Sequence, residues 1–138
     1  MAAVSGIDHV AITVAELERS CAFYRDLFAA ETVTELIRDG RVAVRKLALG
    51  GARLNLHQRG NGVEPVAARP TVGAGDVCLR WDGTLEEAVA FLGEHGVAVV
   101  FGPLPQQTAD GRPAQSVYFR DPDGNLLELM AATPARAG

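Results

Sequence analysis

Four side chains able to ligate a cation, His9, His57, Asp76 and Glu128, each sit inside a short alternating run of the chain. The clearest case is "RDPDGNLLELM", where Glu128 interrupts an apolar stretch. "DPDG" carries turn chemistry: Pro presets φ, Asp hydrogen-bonds its own backbone, and Gly accepts a positive φ. A strand is therefore expected from about Asn125, with Leu126, Glu128 and Met130 on one face and Leu127 and Leu129 on the other. A carboxylate between apolar neighbours is costly unless water, a basic side chain or a metal ion meets it.

Three further runs carry comparable residues. "IDHVAITV" sets His9, Ala11 and Thr13 opposite Val10, Ile12 and Val14, which are expected to pack under a helix. "ARLNLHQ" places Asn55 and His57 together, opposite Leu54 and Leu56, and "GDVCLRW" places Asp76, Cys78 and Arg80 opposite Val77, Leu79 and Trp81. Four strands thus offer His, His or Asn, Asp and Glu, a nitrogen and oxygen set that suits zinc, iron, nickel or manganese. Taken singly, each has an ordinary reading. His9 is then a satisfied histidine, Glu128 a partner of Arg45 or Arg80, and Cys78 a small buried hydrophobe. Met130 reads as core and His95 as a helix C-terminal residue, so both stay outside the site. The matching placement of His9, His57, Asp76 and Glu128 is what favours a metal.

The elements that position these residues occur twice. After the first strand, "AELERSCAFYRDLFAAE" has helical spacing with Leu17, Cys21, Tyr24 and Phe28 as its buried stripe. After the fifth, "TLEEAVAFLGEHG" repeats it, with Thr84 and Glu87 as a capping box and Gly96 as the stop. His9 then falls on Asp76, and "AF" at 22–23 falls on "AF" at 90–91. Three strand-like segments follow each helix, at about 31–37, 41–49 and 52–58, then at about 97–102, 113–121 and 125–131. The chain therefore reads as α+β, two tandem βαβββ modules at 1–58 and 75–138, joined by a Gly- and Pro-rich linker at 59–74. Neither half can hide both a sheet and a helix alone, so a curved mixed sheet around a central cavity is expected.

The composition excludes several classes. With 138 residues, 48% hydrophobic and 22% charged, the chain is an ordinary globular protein rather than a disordered or membrane one. The net charge of −4 and the scatter of its 13 lysines and arginines give no footprint for nucleic acid. Cys21 and Cys78 have no zinc spacing, and the N-terminus lacks a signal-type apolar core, so a reducing, cytoplasmic compartment is expected.

"IDHVAITV…FYRDLF" and "YFRDPDGNLLEL" resemble the two most recognisable segments of the vicinal oxygen chelate superfamily, which includes glyoxalase I, extradiol dioxygenases and the fosfomycin and bleomycin resistance proteins. "RLNLHQRG", "GDVCL" and "GPLPQQTADG" further resemble the glyoxalase domain-containing protein 5 type. The resemblance implies a divalent metal held by residues of the first, fourth, fifth and eighth strands: His9, Asn55 or His57, Asp76 and Glu128. Asn55 fits the spacing after Gly51 better, while imidazole is the better ligand and favours His57. Asp76 stands where the superfamily usually has His. The resemblance also implies a homodimer and a small-molecule substrate. Asp76, Glu128 and Tyr118 are the catalytic candidates, with Asn55, Cys78, Arg80 and Ser116 in contact with the substrate. The chemistry would be that of a metal-dependent lyase or isomerase; metal-free sequestration of a small molecule or antibiotic is the alternative.

Overall fold

Alternating runs become strands and amphipathic runs become helices in the computed structural model, which describes residues 3–134. In chain order these are β1 (His9–Val14), α1 (Leu17–Phe28), β2 (Glu31–Arg38), β3 (Arg41–Leu49), β4 (Ala52–Gln58), β5 (Asp76–Trp81), α2 (Leu85–Glu94), β6 (Phe101–Gln107), β7 (Pro113–Arg120) and β8 (Leu126–Ala132). The chain divides into two compact units between Ala74 and Gly75. Each contains one four-stranded sheet, in the orders β1-β4-β3-β2 and β5-β8-β7-β6. The β1–β4 and β5–β8 pairs are parallel and the others antiparallel, so the fold is α+β with two mixed sheets.

In the first unit α1 lies over β3 and β4. Leu17, Cys21, Tyr24 and Leu27 enter the core with Ile12, Val14, Leu47, Leu54 and Leu56. Burying each large side chain fully stabilises the fold by roughly 1.5–3 kcal/mol. The expected stripe needs two corrections. Phe28 is only half-buried, because Leu27 completes the buried face and the Phe28 ring packs edge-on against Phe23, 6.4 Å between centroids. Val10 stays 40% exposed, because the helix covers β3 and β4 rather than the start of β1. No side chain of α1's own N-cap, Glu16, caps the helix. Gln58, at the end of β4, does so instead: its Oε1 accepts from Leu17 N at 2.9 Å and its Nε2 donates to Ala15 O at 2.8 Å.

In the second unit α2 packs on β7 and β8, burying Ala88 and Leu92 against a core that includes Val117, Phe119, Leu127 and Leu129. Thr84 caps it as expected, its hydroxyl oxygen accepting from Glu87 N at 3.1 Å. Gly96, at φ 68°, ends it, and Val97 N returns to Leu92 O at 2.9 Å. The strand expected at about 97–102 is displaced: β6 begins at Phe101 and runs through Pro103 and Pro105. Prolines are tolerated there because β6 pairs only with β7, and a register shift between Phe101 and Leu104 absorbs the first of them. Among the described residues no helix is long and apolar enough to cross a membrane.

Candidate functional site

The two units repeat not only their element order but their register. In the first, β1 and β4 pair so that His9 lies beside Arg53, Ala11 beside Asn55, and Thr13 beside His57. In the second, Asp76 lies beside Leu126, Cys78 beside Glu128, and Arg80 beside Met130. His9 and Asp76 are therefore counterparts, and so are Asn55 and Glu128. His57 is the counterpart of Met130, one step further along.

On the first wall His9, Asn55 and His57 line one cleft of about 340 Å³, with Pro65, Val66 and Pro70 from the segment after β4. His9 is half exposed, and its Nδ1 lies 2.8 Å from Asp8 Oδ1. A carboxylate on Nδ1 orients the ring and leaves Nε2 as the free coordinating nitrogen. The carboxyl of Asp8 is held below its usual range chiefly by that hydrogen bond. Asn55 is 6% exposed, and its Oδ1 is buried with no hydrogen-bond partner; His57 Nδ1 is likewise orphaned. Burial, and then the Lys46 ammonium, push His57 below the usual histidine range. Lys46 lies opposite Asn55 in the β3–β4 register.

The second wall is built on β8 and fixed by the turn before it. Asp121 Oδ1 accepts from Asp123 N and Asn125 N, both at 2.9 Å, while its Oδ2 accepts from Asn125 Nδ2 at 2.8 Å. Asn125 Oδ1 in turn accepts from Gly75 N at 2.7 Å, tying the start of β8 to the start of β5. Three residues on, Glu128 is 8% exposed and its Oε2 has no partner. Cys78 and Tyr118 flank it on the neighbouring strands. Partial desolvation by the packed strands, then the charge of Glu128, raise the thiol of the otherwise exposed Cys78 to about 11, and the same two causes raise the Tyr118 phenol. Both therefore stay protonated beside the carboxylate. Tyr118 OH accepts from Gln106 Nε2 at 2.8 Å, and Ser116 is fully buried with its hydroxyl orphaned.

Several expectations change against this geometry. Cys78 is exposed and Cys21 is the buried cysteine. Arg45 is no partner of Glu128; it pairs with Glu18 at 2.8 Å and Glu35 at 3.1 Å on the α1 side. Arg80 makes no ion pair with a described residue and is exposed. His95 stands at the end of α2 as expected, its Nδ1 2.9 Å from Phe91 O. Asp8 and Gln106 carried no signal in the sequence, because each acts only through a partner's position. Among the described residues no three His, Cys, Asp or Glu side chains gather closely enough to hold a metal. Asn55 Oδ1 and Glu128 Oε2 are nonetheless buried oxygens lacking a partner, the kind of donor that a divalent ion accepts.

Residues 6–129 match the family model described as the Glyoxalase/Bleomycin resistance protein/Dioxygenase superfamily. The chain is 37% identical to the glyoxalase domain-containing protein RDO1 of Mycosarcoma maydis, covering 96% of this chain and 72% of that one. It is 34% identical to the virulence protein STM3117 of Salmonella typhimurium, over 91% and 83% of the two chains. The crystal structure of STM3117 superposes with a TM-score of 0.82, covering 94% of this chain and 98% of the other. The metallothiol transferase FosB of Staphylococcus saprophyticus is 27% identical over 94% of this chain and 79% of its own.

Proposed function

As the chain belongs to the glyoxalase/bleomycin resistance/dioxygenase superfamily, we propose that it is a metal-dependent lyase or isomerase acting on a small oxygen-bearing substrate. The observation that carries this reading is the pair of orphaned, buried oxygens, Asn55 Oδ1 and Glu128 Oε2, at equivalent register positions of the duplicated units. The ligand set proposed is the one the family resemblance implies: His9, Asn55 or His57, Asp76 and Glu128. Register supports Asn55 on β4, while ligand chemistry supports His57. A divalent ion (zinc, iron, nickel or manganese) would act there as a Lewis acid that polarises substrate oxygens. The remaining steps belong to side chains. Tyr118, held by Gln106 and kept protonated, donates to a substrate oxygen, and Ser116 offers its orphaned hydroxyl beside it. Asp76, exposed at the start of β5, would serve either as a fourth ligand or as the base that takes a proton from the carbon next to a substrate carbonyl. Arg80 and Cys78 would contact the substrate, the former as counter-ion to an anionic group. The name of the FosB relative, a metallothiol transferase, supports metal chemistry in this lineage.

The finer kinship proposed, with the glyoxalase domain-containing protein 5 type, rests on "RLNLHQRG", "GDVCL" and "GPLPQQTADG" at β4, β5 and β6, and a cytoplasmic location is proposed with it. The second reading is a metal-free binder of the bleomycin-resistance type; the apolar Pro65, Val66 and Pro70 beside Asn55 favour it. Elemental analysis of tag-free protein separates the two. About one divalent ion per chain, lost in His9→Ala and in Glu128→Ala, is the expected result; metal-free protein that still binds small molecules would establish the binder. A homodimer is proposed as well, and a monomer by light scattering at micromolar concentration would refute it.

A further inference from the structure

The arginines that look scattered along the sequence are gathered by the fold. Arg19, Arg38, Arg41 and Arg59 line a single open cleft of about 980 Å³ beside the start of α1. Its lining includes none of His9, Asn55 or His57, so it is separate from the first wall. Its volume falls at the top of the range usual for small-molecule sites, roughly 300–1,000 Å³.

The charges in this cleft are not balanced from within. Arg38 and Arg41 are register partners at the closed end of the β2–β3 hairpin. Like charges directly opposite each other across an antiparallel pair destabilise it. The turn between them, Asp39 and Gly40 at φ 52° and 75°, is of the tight two-residue kind that fixes the direction of both strands. Arg59 is held from another element, its backbone N donating to Val14 O at 2.9 Å, and the loop that follows is tied down by Asn61 Nδ2 donating to Ala43 O at 2.9 Å. Three carboxylates also line the cleft, Glu16, Glu18 and Asp39. Glu18 is engaged by Arg45. Arg38, Arg41 and Arg59 make no ion pair with a described residue, whereas Arg45 next to them has two. Four arginines against three carboxylates leave the lining with a net excess of one positive charge, two once Glu18 is assigned to Arg45, in a protein whose net charge is −4. The helix N-terminus contributes nothing further, since Gln58 already occupies Leu17 N.

We propose that this cleft is a second binding site, for a phosphorylated small molecule, with Arg38, Arg41 and Arg59 as its anion clamp. Guanidinium forks match the oxygens of a phosphoryl group two at a time, and three of them call for a ligand with more than one negative charge. Pyrophosphate and inorganic phosphate are the probes, titrated calorimetrically into the full-length protein at low ionic strength. Pyrophosphate should bind saturably and more tightly than phosphate. Arg38→Ala, Arg41→Ala and Arg59→Ala should each weaken it about tenfold. All three positions are exposed, so folding is preserved. Arg25→Ala removes the same charge from α1 outside the cleft and should leave affinity unchanged, as should Glu128→Ala. Equal weakening by Arg25→Ala would reduce the effect to net charge and overturn the site. So would the absence of saturable binding up to about 10 mM pyrophosphate, or tighter binding of a single-stranded oligonucleotide, which would make the cleft a nucleic-acid surface.

Discussion

The same three-strand position is filled by Ala11, Asn55 and Lys46 in the first unit and by Cys78, Glu128 and Tyr118 in the second. Duplication has kept the register and changed the chemistry. In the first unit the central group is a neutral amide, which tolerates an ammonium beside it without forming an ion pair. In the second it is a carboxylate flanked by a thiol and a phenol, both driven toward their neutral forms by desolvation and then by its charge. One wall thus offers electron pairs in a cationic setting and the other carries the negative charge. The helices differ in a parallel way. α2 is capped by its own Thr84, three residues from the amide it serves, while α1 relies on Gln58, 41 residues from Leu17.

The largest effect should come from erasing the difference at the centre of the walls. Glu128→Gln gives the second unit the neutral group of the first, and metal affinity measured by dye competition should fall by at least about 100-fold. Asn55→Ala should lower it by about tenfold, and His57→Ala by less, if register decides the β4 ligand. A larger loss in His57→Ala than in Asn55→Ala would transfer that role to His57. Next come the caps. Gln58→Ala removes both bonds that start α1 and should reduce unfolding free energy in urea by about 1–2 kcal/mol, against about 1 kcal/mol for Thr84→Ala. An equal or smaller loss at Gln58 would mean that the long-range cap contributes no more than the local one.

Helix ends give a smaller test. α1 is closed by Ala29 at φ 55°, a conformation that favours glycine, where α2 is followed by Gly96. Ala29→Gly should therefore stabilise the protein by about 0.5–1 kcal/mol in thermal unfolding, and destabilisation would contradict the argument. The smallest effect is that of pH. Because His57 is depressed in the fold, the unfolded chain takes up its proton first as the solution is acidified. Its contribution to stability is full above the ordinary histidine value of about 6.5 and declines as pH falls through that value toward the lower folded one. His57→Gln should flatten the stability profile between about pH 7 and 5, and an unchanged slope would remove His57 as its source.

Most elements were legible because their signals are local. Strict alternation marked β1, β4 and β5, the "DPDG" turn marked β8, and Thr84 with Gly96 bracketed α2. β6 was not, since "VAVV" has strand composition but lies ahead of the strand, and Val99 and Val100 remain 37% and 44% exposed. What makes a strand there is pairing with β7, which begins as Val100 N meets Tyr118 O at 2.8 Å, and pairing cannot be read from composition. The equivalence of Asn55 with Glu128 was hidden for the same reason. It depends on how β1 lies against β4 and β5 against β8, and a shift of one pair step would have chosen His57. The Gln58 cap and the arginine cleft join residues distant in sequence and leave no local trace.

The turn that precedes β8 has a consequence for how a ligand would be captured. Asp121, Asn125 and Gly75 lock the start of the strand through side-chain and backbone bonds that involve no residue of the wall itself. Glu128 is therefore already placed and dehydrated before anything arrives. Capture then requires little ordering of the chain on this side, and the entropy of fixing the carboxylate has been met during folding rather than at binding. A site built this way keeps its shape when empty, so a change in the Asp121–Asn125 turn should slow or weaken capture without altering any atom that touches the ligand.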